Sequence, residues 1–281
     1  MNIQLIETLP GVRANLNYLR HTSSKPYSYT YEPPPGIAPR SGEVNEVEGI
    51  VVRDARPIVD RLSLDEQGFV LRQHSTAVRD FYDEEELRRV YYPEVKALLT
   101  RETGAEKVVI FDHTIRSVPK AREGIEGMRE PVRRVHNDYT PRSGLRRVRD
   151  HLDPEEAEWR LRQRFAEVNV WRPIRGPLED APLALCDART ISEADLIPSD
   201  LIYRDKVGET YAFSYDPSHR WFYFPRMQRD EALLLKGYDS AEDGRARFTA
   251  HTAFDDPSAP VDALPRESIE VRALVFFPAR R

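Results

Sequence analysis

The chain has 281 residues, 40% hydrophobic and 32% charged, with a net charge of −5. It can bury one large core or two small ones, and its acidic balance argues against a polyanion binder. The single cysteine, Cys186, excludes an intramolecular disulfide and a cysteine zinc site, and no apolar run is long enough to span a membrane.

Met1 to Pro10 shows no charged region followed by an apolar one, so no secretory leader and a cytoplasmic location are expected. Ser23 to Arg40, with Pro33-Pro34-Pro35-Gly36, reads as an irregular arm. Val44 to Val52 reads as a strand, and Phe69-Val70-Leu71 sits in a second. Asp83 to Thr100 carries a helical apolar face (Leu87, Val90, Tyr91, Val95) behind an Asp83 N-cap and three glutamates. Pro93 predicts a split in that helix.

Lys107 to Asp112 reads as a buried strand, and Val132 to Tyr139 as an extended piece. Asp153-Pro154-Glu155-Glu156 reads as a helix start with Asp153 as N-cap, the helix running to about Val168. Strand signals dominate beyond it. Tyr211 to Tyr215 and Trp221 to Phe224 read as a hairpin around Asp216-Pro217-Ser218. Arg247 to His251 and Ser268 to Phe277 read as strands, with a short helix over Arg229 to Leu235 before them. A β-rich carboxyl half with inserted helices favours a jelly-roll barrel over a parallel sheet. There is no internal repeat, no Gly-x-Gly-x-x-Gly after a strand and no P-loop.

Metal chemistry in such a chain must use histidine and carboxylate. Two of the seven histidines stand in a His-x-Asp pattern, His136-Asn137-Asp138 and His151-Leu152-Asp153. On a strand, residues i and i+2 share a face, so the pair can supply two cis ligands. A distant histidine would complete a facial triad that leaves positions open on Fe(II). The spacing alone is weak evidence in so acidic a sequence. Asp153 is taken up as a helix cap, so His151 reads as structural. His136 lies in an extended stretch before a Pro/Gly turn, where a barrel strand presents ligands at its mouth. The alternative is a surface histidine in a polar strand. His251, near a strand end, is the candidate third ligand, and His113 is the rival should His136 fail. Arg266 and Ser268 alternate onto one strand face and can grip a carboxylate together; Arg272 is a rival further along.

The order His-x-Asp, distal His, Arg-x-Ser resembles iron(II)/2-oxoglutarate-dependent dioxygenases. The blocks Val135 to Thr140, Val168 to Pro173, Tyr211-Ala212-Phe213, His219 to Tyr223, Met227 to Lys236, Tyr238-Asp239-Ser240 and His251 to Phe254 are, more narrowly, similar to the AsaB-like hydroxylase/desaturase family. That family includes gibberellin-desaturase-like and cephem-methoxylase-related proteins. The likeness runs from Lys107 to Phe277; the first hundred residues carry no signature.

The resemblance implies an α+β, mainly β chain with a double-stranded β-helix (jelly-roll) core and flanking helices. It implies a single catalytic domain over 1–281, with a 1–100 N-terminal α/β extension packed on a 101–281 core. Fe(II) would be held by His136, Asp138 and His251. The co-substrate 2-oxoglutarate would be held by Arg266 and Ser268, with Asn169 in contact, and O2 would be the oxidant. An unactivated C–H bond of a small molecule, a natural-product intermediate or amino acid, would be hydroxylated, desaturated or cyclised, with release of succinate and CO2. Arg116, Trp171, Arg172, Tyr211, Trp221 and Tyr223 are the substrate-pocket candidates, the aromatic ones competing with a plain core role. Arg116, Arg134, Arg142 and Arg172 keep an acidic substrate open. His219 reads as a hydrogen-bonding histidine beside a turn, Lys236 with Asp239 as a structural pair, and Cys186 as a buried small hydrophobe. No nucleic-acid or membrane partner is expected, and the chain is expected to be a monomer or homodimer. Two other classes compete: a cupin-type metal enzyme that does not use 2-oxoglutarate, and a catalytically silent barrel acting as a binding protein.

Overall fold

A computed structural model of the protein describes residues 6–279. Among them the chain forms β1 (Gly11–Leu19), β2 (Tyr27–Tyr29), β3 (Val44–Asp54), β4 (Phe69–Gln73), β5 (Lys107–Ser117), β6 (Met128–Arg129), β7 (His136–Asn137), β8 (Phe165–Pro173), β9 (Leu183–Cys186), β10 (Leu196–Ile202), β11 (Val207–Phe213), β12 (Trp221–Tyr223), β13 (Glu231–Asp239), β14 (His251–Ala253) and β15 (Glu267–Phe276). Nine make one sheet, in the order β1-β3-β12-β9-β14-β7-β11-β10-β2, and six make the other, β4-β13-β8-β15-β5-β6. The two sheets form the jelly roll that the strand-rich carboxyl half predicts.

The six-stranded sheet has two different faces. Val168 and Val170 of β8 and Ile269, Val271 and Ala273 of β15 belong to a core shared with Val95, Leu98 and Leu99 of helix Tyr92–Thr103. The alternate residues Asn169, Glu270 and Arg272 point the other way, towards β7. This polar inner face positions the site.

The residues before 100 are hydrogen-bonded into both sheets. β3 runs parallel to β12 and β4 pairs with β13, so a boundary at residue 100 falls between strand neighbours.

Several local expectations change. Arg229 to Leu235 is not a helix; Glu231–Asp239 is strand β13, buried along its whole length. Its Ala-Leu-Leu-Leu run has no period-2 alternation because both faces are covered. Tyr211 to Tyr215 and Trp221 to Phe224 do not pair as a hairpin. β11 pairs with β10 and β7, and β12 lies between β3 and β9, because the buried face selects the partner rather than the shortest loop. The strand expected over Arg247 to His251 starts only at His251. The helix after Asp153 ends at Arg160, and β8 starts at Phe165. Asp153 occupies the N-cap position, yet its side chain makes no capping bond.

Asp83 does cap its helix, its Oδ1 accepting from the backbone N–H groups of Glu85 and Glu86. Helical backbone continues from there to Thr103, past Pro93, through a wide π turn over Leu87–Tyr91. A proline lacks the N–H that the preceding turn would bond, and a widened turn accommodates that loss.

Candidate metal centre

β7 is two residues long, and β14 opens on His251. The antiparallel bridge between these strands sets His136 opposite His251, which puts two imidazoles far apart in sequence side by side, with ring centroids 4.4 Å apart. Asp138 follows β7 on the face of His136. Ligand atoms of His136, Asp138 and His251 all lie within 4.8 Å of one another.

The hydrogen bonds fix which atoms point at that centre. Nδ1 of His136 is 2.8 Å from the Arg134 carbonyl, and Nδ1 of His251 is 3.0 Å from the Thr249 carbonyl. A carbonyl only accepts, so each Nδ1 carries the proton and each Nε2 keeps its lone pair. Burial, and then the neighbouring His251, pushes the His136 imidazole down to about 3. It is therefore neutral near pH 7, the form that ligates metal. Burial alone would raise the Asp138 carboxyl, but the Arg272 guanidinium holds it well below the usual carboxylate range.

One oxygen of Asp138 is taken and the other is left. Oδ2 accepts from Asn169 Nδ2 at 2.9 Å and from Arg272 Nε at 3.1 Å, while Oδ1 lies 3.6 Å from His136 Nε2. Two imidazole nitrogens and one carboxylate oxygen are the donor set of a facial triad for Fe(II). His136 and Asp138 line a cavity of about 760 Å³, which gives the centre an open side.

Arg266 lies just ahead of Ser268 on the inner face. It is 2% exposed. Its Nε donates to Ser268 Oγ at 3.0 Å, one terminal nitrogen donates to the Ala181 carbonyl at 2.7 Å, and the guanidinium lies 5.1 Å from the centre of the Trp171 ring. Among the described residues the only carboxylate bonded to Arg266 is Asp180, and it accepts from the backbone N–H. A buried guanidinium without a counter-ion is costly, so this spot favours a carboxylate brought from outside.

The chain matches the family described as "Oxidoreductase/YMDC permease-like domain" over residues 16–276. The hydroxylase/desaturase EfuI of Hormonema carpetanum is 32% identical over 290 residues, covering 95% of this chain and 96% of EfuI. The Fe(II)/2-oxoglutarate-dependent dioxygenase NvfI of Aspergillus novofumigatus is 38% identical over 236 residues, covering 79% and 81%. A solved structure of the iron and alpha-ketoglutarate-dependent endoperoxidase NvfI superposes with a TM-score of 0.86 at 31% identity, over 96% of this chain and 99% of that one. The chain belongs to the AsaB-like hydroxylase/desaturase family of Fe(II)/2-oxoglutarate-dependent dioxygenases. Fe(II), 2-oxoglutarate and O2 are thus its metal, co-substrate and oxidant. No described helix is long and apolar enough to cross a membrane.

In this dioxygenase the remaining candidates separate into two groups. Arg116 lines the cavity. Arg172 does not: it alternates with Asn169 and Trp171 onto the helix-covered face, donates to the His74 carbonyl and lies over Tyr91. Tyr211 packs edge-on against Phe248, Tyr223 against Phe254, and Trp221 donates through Nε1 to the Tyr18 hydroxyl. These three pack within the nine-stranded sheet. Trp171 is buried, with the Arg266 guanidinium over its ring.

The other histidines have local tasks. His113 accepts or donates at Tyr92 and pairs with Glu84; His151 stacks on Phe111; His219 bridges Tyr18 and Asp195. Lys236 pairs with Asp239 at 2.9 Å, and Cys186 is fully buried.

The Asn169 amide nitrogen donates to Asp138 and Glu270, and its Oδ1 is buried with no partner among the described residues. Arg272 and Glu270 were not read as supports of Asp138. The signal available was alternation: Ser268, Glu270 and Arg272 stand at i, i+2 and i+4 of one strand, so all three share the inner face.

Proposed function

We propose that His136, Asp138 and His251 hold the Fe(II), and that Arg266 with Ser268 binds the far carboxylate of 2-oxoglutarate. The observation that carries this reading is the pairing of two Nε2 lone pairs and a bare carboxylate oxygen with a buried guanidinium that lacks a counter-ion. When bound, the iron, 2-oxoglutarate and O2 supply an oxidation of an unactivated C–H bond coupled to release of succinate and CO2.

The chain's own residues supply position. The Arg134 and Thr249 carbonyls orient the two imidazoles, Arg272 and Asn169 occupy Asp138 Oδ2 and leave Oδ1 for the metal, and Arg266 fixes one end of the co-substrate. Trp171 covers the guanidinium from below and keeps water from it.

The substrate in this reading is a small molecule of secondary metabolism, in keeping with the likeness to the hydroxylase/desaturase EfuI and to the Aspirochlorine biosynthesis protein N of Aspergillus oryzae. Hydroxylation, desaturation and cyclisation differ only in how the substrate is placed. We also take the chain to be one catalytic domain, because residues before and after 100 share both sheets.

The test is succinate formation from 2-oxoglutarate. It should require Fe(II) and disappear in His136→Ala and Asp138→Ala; survival in the double variant overturns the ligand assignment. A metal enzyme without 2-oxoglutarate would instead keep its turnover in Arg266→Ala.

A further inference from the structure

Charge in the cavity does not balance. Five carboxylates line it, and each has a cation: Asp112 and Asp138 pair with Arg272, Glu130 with Arg122, Asp150 with Arg146, and Glu209 with Lys25. Among the lining cations, Arg40, Arg116, Arg129, Arg134 and Lys206 make no ion pair with a described residue, and Lys206 lies instead over the Tyr203 ring.

Their positions are set by the fold. Arg116 of β5 and Arg129 of β6 are register partners, so two guanidinium side chains stand next to each other on one wall. Arg134 lies two residues before His136, whose Nδ1 its carbonyl receives, while its own guanidinium donates to Ser28 Oγ at 3.0 Å. Arg40 is the bridge partner of Ser28, which brings a further cation to that wall. Arg116 and Arg134 are half-buried, where an unmatched charge costs more than at an open surface. Tyr29, Val44 and Leu201 add apolar surface to the same cavity.

We propose that the substrate is an anion, a small molecule with an apolar body and a carboxylate, and that Arg134, Arg40 and Arg129 select it by that carboxylate. This rests on the dioxygenase reading above, in which Arg266 and the metal already take both ends of 2-oxoglutarate. Those three arginines are then left over from the co-substrate machinery. The half-buried Arg134 favours a carboxylate over an uncharged isostere, the exposed Arg40 and Arg129 add positive charge beside it, and an amide or ester would leave Arg134 unmatched.

The experiment uses the full chain loaded with Mn(II) and saturating 2-oxoglutarate, and a fluorescent probe pair, dansylglycine and dansylglycinamide, which differ only in the carboxylate. Dansylglycine should bind at least about tenfold tighter than the amide, a gap that narrows with salt. In the triple variant Arg40→Gln, Arg129→Gln, Arg134→Gln the two should bind within about twofold of each other, while Arg134→Lys, which keeps the charge, retains a preference.

Labelled 2-oxoglutarate retention is read in parallel and should stay unchanged in the triple variant. Equal binding of the two probes by the wild type, or a preference that survives in the triple variant, overturns the proposal. So does loss of 2-oxoglutarate together with the preference, which would hand these arginines to the co-substrate. Failure of the dioxygenase reading shows separately, as 2-oxoglutarate that the wild type does not retain in a Mn(II)-dependent way; the probe pair then still reads the arginines in the metal-free protein.

Discussion

Arg272 Nε lies 3.1 Å from Asp138 Oδ2 and so holds the carboxylate between His136 and His251 by its far oxygen. The same guanidinium is fixed on its other side by Glu270 at 2.6 Å, Asp112 at 3.1 Å and Thr114 at 2.9 Å. Four partners in fork geometry leave it one orientation. Arg272 therefore directs Asp138, while the guanidinium of Arg266 on the same face makes no ion pair among the described residues.

Replacing Arg272 by Lys keeps a charge and loses the fork. Fe(II) or Mn(II) affinity should fall by about 10- to 100-fold, the usual cost of losing an outer partner of a metal ligand. Asn169→Ala should lower affinity in the same direction, because it removes the second donor to Oδ2. Metal titration checks both, and unchanged affinity in both would show that Asp138 needs neither.

Arg266→Gln should raise the dissociation constant of 2-oxoglutarate by at least about 30-fold, since truncating one partner of a buried charge pair costs about 2–5 kcal/mol. Metal affinity should change little, because Arg266 makes no bond to the three metal-centre residues. Equilibrium dialysis with labelled co-substrate separates the two effects. Loss of metal with 2-oxoglutarate binding intact would contradict the assignment.

Acid should destabilise the metal-free protein before its carboxylates titrate. Burial and then His251 lower His136 to about 3; burial and then Arg172 lower His74 to about 4. Both groups bind fewer protons folded than unfolded, so their contribution is complete above the ordinary histidine value near 6.5 and is lost as pH falls towards those lower values. Each contributes a slope of at most about 1.4 kcal/mol per pH unit in that window. Denaturant unfolding at pH 7, 6 and 5 measures it, and His74→Gln should flatten the dependence; a flat profile in the wild type would refute it.

Trp221 is buried in the core of the nine-stranded sheet. Trp221→Phe removes the donor to the buried Tyr18 hydroxyl, 2.8 Å away, and should cost about 1–3 kcal/mol of stability. The KM for 2-oxoglutarate in the folded variant should be unchanged. A changed KM with unaltered stability would return Trp221 to the cavity.

Gly237 offers a test at a residue that touches no ligand. A Cβ there would sit 2.6 Å from Tyr139 Cδ2, and Tyr139 adjoins Asp138. The Gly237 carbonyl also accepts from Asn137, between the two ligands of β7 and its end. Gly237→Ala should therefore weaken metal binding as well as stability, the first read by titration and the second by thermal unfolding. Unchanged metal affinity would show that Tyr139 yields without moving Asp138.

What the sequence determined by itself was chemistry and period. The donor types of His136, Asp138 and His251, the i, i+2 spacing that puts two of them on one face, and the Arg266–Ser268 pair are properties of neighbouring residues, and local geometry expresses them directly. The Asp83 cap is legible for the same reason. Which strand lies beside which, and what faces a side chain across the barrel, was decided only by the tertiary structure. The Leu233–Leu235 run has no visible period until both its faces are seen to be covered, and Tyr211, Trp221 and Tyr223 read alike as wall or core until their sheet partners are fixed. Arg272 and Arg266 are chemically equivalent on paper, and they separate only because one guanidinium meets Asp138 across the barrel and the other meets no carboxylate among the described residues. Sheet partners and facing layers are chosen by burial of whole faces, a sum over distant segments that no local pattern contains.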